Sequence, residues 1–97
     1  MQPLEPLTIL IAEDSAADRL LLSTIVRRQG HEVLTATHGA EAVETFIRQK
    51  PHLVLMDAMM PVMDGFEAAR QIKKLAGENL VPIIFLTSLT ESEALAR

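Results

Sequence analysis

Asp57 closes the run Leu53-Val54-Leu55-Met56, four apolar residues that predict a short strand buried on both faces of a parallel sheet. A lone carboxylate at the end of such a strand is costly to bury, so it must be hydrated, paired or metal-bound. Two other apolar runs also end in polar groups: Thr8 to Ala12 leads into Glu13-Asp14, and Val81 to Leu86 into Thr87-Ser88. Glu13, Asp14 and Asp57 gathered at one edge would repel and raise one another's pKa unless a cation stood between them. An all-oxygen donor set suits a hard ion, Mg²⁺ or Mn²⁺. An Asp57 oxygen beside such an ion can attack a phosphoryl group to give an acyl phosphate. The Thr87 hydroxyl and the backbone N–H groups of Ala58 and Ser88 are placed to hydrogen-bond the phosphoryl oxygens.

For these groups to meet, the strands must be parallel and in one sheet. Pro3 and Pro6 make residues 1–7 an extended lead-in to the first strand, Thr8 to Ala12. Ser15 followed three residues on by Asp18 marks a helix start. In that helix Leu20, Leu21, Ile25 and Val26 are expected on the apolar face, with Arg19, Arg27 and Arg28 in water, and Gly30 as the stop. Glu32 to Ala36 is a weaker strand. A second helix follows with Ala42, Val43, Phe46 and Ile47 at helical spacing, and Pro51 lies beyond its end. After Asp57, Pro61 stops regular structure and Asp64-Gly65 turns into a third helix carrying Phe66, Ala69 and Ile72 and closed by Gly77. Val81 to Leu86 is the fourth strand, and the capping pattern at Thr90 to Glu93 opens one more helix. The alternation β-α-β-α-β-α-β-α predicts a doubly wound α/β fold, with the strand carboxyl ends along one edge.

Composition narrows the function classes. The chain has 97 residues, room for one small domain, and its 48% hydrophobic and 23% charged content is that of a globular protein. A net charge of -4 with scattered Lys and Arg argues against a nucleic-acid grip by this segment. There is no cysteine, which excludes disulfides, thiol-ligated zinc and cysteine catalysis. The N-terminus lacks the pattern of a signal peptide, and no apolar run reaches membrane-spanning length, so the expectation is cytoplasmic, without membrane contact. Met56, Met59, Met60 and Met63 read as packing rather than a soft-metal site, because hard carboxylates sit beside them. His31, His38 and His52 have no ligand spacing and read as solvated turn residues. No glycine-rich nucleotide loop and no nucleophile-elbow serine is present.

An acidic pair after the first strand, Asp57-x-x-x-Pro61-x-x-Asp64-Gly65 after the third, and Thr87-Ser88 after the fourth resemble the receiver domains of two-component response regulators, from Thr8 to Arg97. The resemblance implies a flavodoxin-like fold of five parallel strands in the order 2-1-3-4-5, of which residues 1–97 would supply the order 2-1-3-4, without strand 5 and helix 5. It also implies that Asp57 is the phosphoacceptor. Asp14, Asp57 and the Met59 backbone carbonyl would ligate Mg²⁺ directly, Glu13 would act largely through water, and Thr87 would be the switch hydroxyl. The implied partners are a sensor histidine kinase or phosphotransfer protein as donor and an output domain or partner protein beyond Arg97. The implied role is a regulated switch in signal transduction, not a metabolic enzyme.

Two departures stand out. Ser88 replaces a frequent alanine, and the lysine and aromatic switch residue of the family's fifth segment have no counterpart here; Lys50, Lys73 and Lys74 lie in the wrong places. The alternative is a receiver-like interaction module that works without phosphorylation. A metal-dependent phosphatase is disfavoured because Met59 stands where its acid/base would be. The strand from Val81 to Leu86 is expected to form an exposed apolar edge, and a chain ending at Arg97 to self-associate.

Overall fold

The computed structural model describes residues 5–86. The helix expected from Thr90, together with Thr87 and Ser88, lies outside them. Seven elements follow in order: β1 (Thr8–Ala12), α1 (Ala16–Arg28), β2 (Glu32–Ala36), α2 (Gly39–Gln49), β3 (Leu53–Asp57), α3 (Gly65–Ala76) and β4 (Ile83–Leu86). The strands form one sheet in the order β2-β1-β3-β4, all pairs parallel. This is the doubly wound order expected.

Because side chains alternate across a strand, Leu10, Ala12, Val54 and Met56 face one side and join Ala42, Phe46, Ala68 and Ile72 of α2 and α3 in the main core. Ile9 and Ile11 alternate to the other side and are also buried. There α1 packs on β1 and β2. Each helix starts on a side-chain cap: Ser15 Oγ accepts from the Asp18 N–H, His38 Nδ1 from the Glu41 N–H, and Asp64 Oδ1 from the Glu67 N–H.

Four local expectations are corrected. In α1, Leu20, Leu21 and Ile25 are 66%, 59% and 49% exposed, while Ser23 is buried and Leu22 and Val26 are half-buried. Three consecutive leucines leave the phase of the helix open, and its inward strip is 19, 22, 23 and 26. Arg19 belongs to that strip, its Nη1 donating to the Glu13 carbonyl at 2.8 Å. In α3, Ala68, Ala69, Ile72 and Ala76 are buried, but Phe66 is exposed and packs its ring against Phe85 with 4.9 Å between centroids. The regular part of β4 starts at Ile83, although the Pro82 carbonyl already accepts from the Val54 N–H at 3.0 Å. The histidines are structural rather than merely solvated: Nδ1 of His31 and of His52 accept the Leu7 and Thr8 N–H groups, each at 2.9 Å.

Among the described residues β4 is an edge strand, with Ile84 and Phe85 exposed. No helix among them is long and apolar enough to cross a membrane.

Candidate functional site

At the carboxyl edge of the sheet, β1 and β3 are neighbours, so the residues that end them are brought side by side. Glu13 continues the ladder by one bond, its N–H donating to the Ala36 carbonyl at 3.0 Å. Its side chain turns back to the start of α1, where Oε1 accepts the Ser15 N–H at 3.0 Å. Glu13 and Asp57 are 7% and 6% exposed, whereas Asp14 faces solvent. One carboxylate oxygen from each of Glu13, Asp14 and Asp57 lies within 4.8 Å of the others. Two unit charges at that spacing repel by about 3 kcal/mol at an effective dielectric of ~20.

The strain shows on Glu13. Burial pushes its carboxyl up from 4.5 to about 7, against the pull of the Ser15 N–H, and the Asp57 carboxylate adds to the rise. A hard divalent cation relieves both the repulsion and the desolvation. Three oxygen donors, two of them buried and one open to water, fit an ion that keeps part of its hydration shell.

The loop after β3 is tightly fixed. Asp57 remains within the strand, paired with Leu86. Val54 and Ala58, four residues apart, therefore point their N–H groups the same way, and the Ala58 N–H donates to the Leu86 carbonyl at 3.3 Å. The Ala58 amide, expected to serve a phosphoryl group, is thus engaged by the Leu86 carbonyl. The amide at the carboxylate is the next one, Met59, which donates to Asp57 Oδ1 at 3.1 Å. Beyond it the Met63 N–H closes on the Pro61 carbonyl at 2.7 Å, placing Val62 at φ 69, a left-handed conformation rare for a β-branched residue.

Two glycines hold this loop down by close approach. The Gly39 N–H donates to the Met63 carbonyl at 3.0 Å, and a Cβ on Gly39 would lie 2.1 Å from that oxygen. The Gly65 N–H donates to the Ala58 carbonyl at 2.9 Å, and a Cβ there would meet the Asp57 carbonyl at 2.1 Å. The sequence motif marked Gly65 as a turn signal. Its geometric reason is the contact of the first turn of α3 with the end of β3.

Glu13, Asp14 and Asp57 are thus brought together as expected, and Met59 lies in the same loop. Thr87 and Ser88 lie outside the described residues. Arg19 and the Met59 amide were missed. An arginine four residues after an N-cap serine was the available signal for the first; nothing short of the β3–β4 register reveals the second.

The family model for the response regulator receiver domain matches residues 9–97. The chain belongs to that family. It is 39% identical over 80 residues to Protein PilH of Pseudomonas aeruginosa, covering 82% of this chain and 66% of PilH. It is 42% identical over 83 residues to the probable transcriptional regulator ycf27 of Pyropia yezoensis, covering 86% of this chain but 33% of that protein. The chain therefore spans between a third and two thirds of these relatives. In three dimensions it resembles the response regulator TrrA of Thermotoga maritima, crystallised in complex with Mg(2+)-BeF: TM-score 0.79, 32% identity, with 90% of this chain and 74% of TrrA covered. As a receiver domain it is a module of two-component signalling.

Proposed function

We propose that this receiver takes a phosphoryl group on Asp57 from a phosphohistidine of a sensor kinase or phosphotransfer protein, and so switches an output. The reading rests above all on the convergence of the Glu13, Asp14 and Asp57 oxygens within 4.8 Å. Asp14, Asp57 and the Met59 carbonyl would hold Mg²⁺, with Glu13 acting through water. A bound Mg²⁺ supplies positive charge to phosphoryl oxygens and neutralises the clustered carboxylates. That TrrA was crystallised in complex with Mg(2+)-BeF supports a Mg²⁺ site in this fold.

In the transfer an Asp57 carboxylate oxygen attacks phosphorus, the P–N bond of the donor breaks, and the electron pair leaves with the imidazole, which takes up a proton. The Met59 N–H, already on Asp57 Oδ1, keeps the carboxylate oriented and offers the reacting group a backbone donor. Thr87 and the Ser88 amide, immediately after β4, would contact the phosphoryl group, with Thr87 as the switch hydroxyl. Hydrolysis returns the carboxylate and inorganic phosphate. The domain then works as a phosphoacceptor switch rather than as a turnover enzyme.

The test is treatment of the complete protein with acetyl phosphate and Mg²⁺. The expected result is gain of one phosphoryl group on Asp57, labile to hydroxylamine, lost on omission of Mg²⁺ and absent in Asp57→Asn. A label mapped to Thr87, Ser88 or a histidine would overturn the assignment.

A further inference from the structure

At the opposite edge of the sheet lies a cavity of about 370 Å³, where the carboxyl-terminal ends of α2 and α3 meet the starts of β3 and β4. That volume falls within the ~300–1,000 Å³ usual for small-molecule sites. Phe46 and Val81, both buried, are part of its lining, and so is Leu80, which is 86% exposed. No Asp or Glu lines it.

The cationic and ring groups at the cavity are donors, while the Asn79 amide in its lining offers both a donor and an acceptor. The Lys50 ammonium takes part in no side-chain hydrogen bond or ion pair among the described residues. His52 uses Nδ1 to accept the Thr8 N–H, so in the neutral ring the hydrogen sits on Nε2. Lys73 Nζ donates to the Val81 carbonyl at 2.7 Å, bringing a second cation to the edge of the cavity. An apolar floor with cations and N–H donors, and no acid, selects an apolar body carrying one negative charge.

We propose that this cavity binds a small aromatic or aliphatic monocarboxylate. The apolar body rests on Phe46, Leu80 and Val81, and the carboxylate is held by Lys50 and His52. The site lies at the sheet edge opposite Asp57 and shares no residue with the acidic cluster.

The test uses 2-naphthoate and its neutral counterpart 2-naphthamide, titrated into the complete, isotope-labelled protein and followed by amide chemical shifts. The expected result is saturable shifts at Phe46, His52 and Leu80, with Asp57 and Glu13 unmoved. Lys50→Asn should weaken 2-naphthoate by about three- to fivefold, the upper range of a partly exposed charge pair, and Lys50→Arg should keep it within about twofold. Asparagine suits position 50 because Lys50 sits at φ 47, a left-handed conformation that asparagine tolerates. On the parent protein alone, 2-naphthamide should bind more weakly than 2-naphthoate. Absence of saturation, equal affinity for the two ligands, equal affinity of the parent and Lys50→Asn, or shifts centred on Asp57 would each overturn the proposal.

Discussion

The two edges of the sheet use polar residues in opposite ways. At the amino edge His31 and His52 each accept a backbone N–H of the segment entering β1, and the His52 N–H returns a bond to the Thr8 carbonyl at 2.8 Å. These groups are satisfied within the chain. At the carboxyl edge Glu13, Asp14 and Asp57 face one another, and burial has raised the Glu13 carboxyl far above its ordinary range. That edge carries a cost which a ligand can remove, whereas the histidine contacts at the amino edge carry none. The fold is thus tied down at one edge and left electrostatically unsettled at the other, where binding and chemistry change its free energy most.

The largest effect should come from glycines placed differently at the two edges. Gly65→Ala drives a methyl into the Asp57 carbonyl and should destabilise by about 3 kcal/mol, moving the Asp57 loop and weakening metal binding with it. Gly30, in the turn before β2, has open space around a Cβ and only its φ of 91 to lose. Gly30→Ala should cost about 1 kcal/mol and leave the metal site alone. Chemical denaturation of both variants checks this, and equal losses would erase the distinction.

The charge strain gives a pH signature in metal-free protein. The Glu13 carboxyl ionises near 4.5 when unfolded and near 7 when folded, because burial and the neighbouring Asp57 disfavour its charge. The folded state therefore holds this proton more tightly. The contribution is fully present below about pH 4.5 and is lost as pH rises through about 7. Glu13→Gln should flatten that part of the profile. Saturating Mg²⁺ should reverse the trend, since it favours the ionised cluster. Melts that grow steadily more stable from pH 5 to 8 without metal, and do not respond to Glu13→Gln, would contradict the strain.

Much of this was legible in the sequence, for a physical reason. Parallel strands joined by helices must share one carboxyl edge, so apolar runs ending in Glu13-Asp14 and Asp57 announced their meeting, and β1 and β2 fall where their runs do. What stayed hidden depends on phase. Leu20-Leu21-Leu22 fits several helix orientations, and only packing chose Leu22. One further residue of pairing, Asp57 with Leu86, transferred the amide at the carboxylate from Ala58 to Met59. The histidine roles depend on which backbone N–H lies opposite each ring, which no spacing encodes.

A metal titration compares charges that differ only in place. Asp14→Asn removes a charge from the cluster and should weaken Mg²⁺ binding by roughly tenfold or more, about 1.4 kcal/mol. Glu67→Gln removes a charge from α3 that is tied to Arg70 and Gln71, and should change Mg²⁺ affinity by less than about twofold, as expected of a screened surface charge. Isothermal titration giving the same affinity for both variants would mean that net charge, not the cluster, attracts the ion.

The smallest effect belongs to the amino edge. The Thr8 N–H donates to His52 Nδ1 at 2.9 Å while the Thr8 carbonyl accepts the His52 N–H at 2.8 Å, a two-point clasp between the starts of β1 and β3. His52→Ala removes the side-chain half and leaves the backbone half. His52 is exposed, so water can replace the lost acceptor, and the cost should be about 1 kcal/mol, that of one ordinary hydrogen bond. His52→Asn keeps a side-chain acceptor and should recover part of it. Because the clasp is at the far edge from Asp57, Mg²⁺ affinity should stay within about twofold of the parent in both variants, as for independent, distant sites. Denaturation and metal titration of the same samples read the two quantities separately. A His52→Ala protein that folds but loses Mg²⁺ affinity as severely as Asp14→Asn would show that the two edges are coupled, and that the division between a tied and an unsettled edge does not hold.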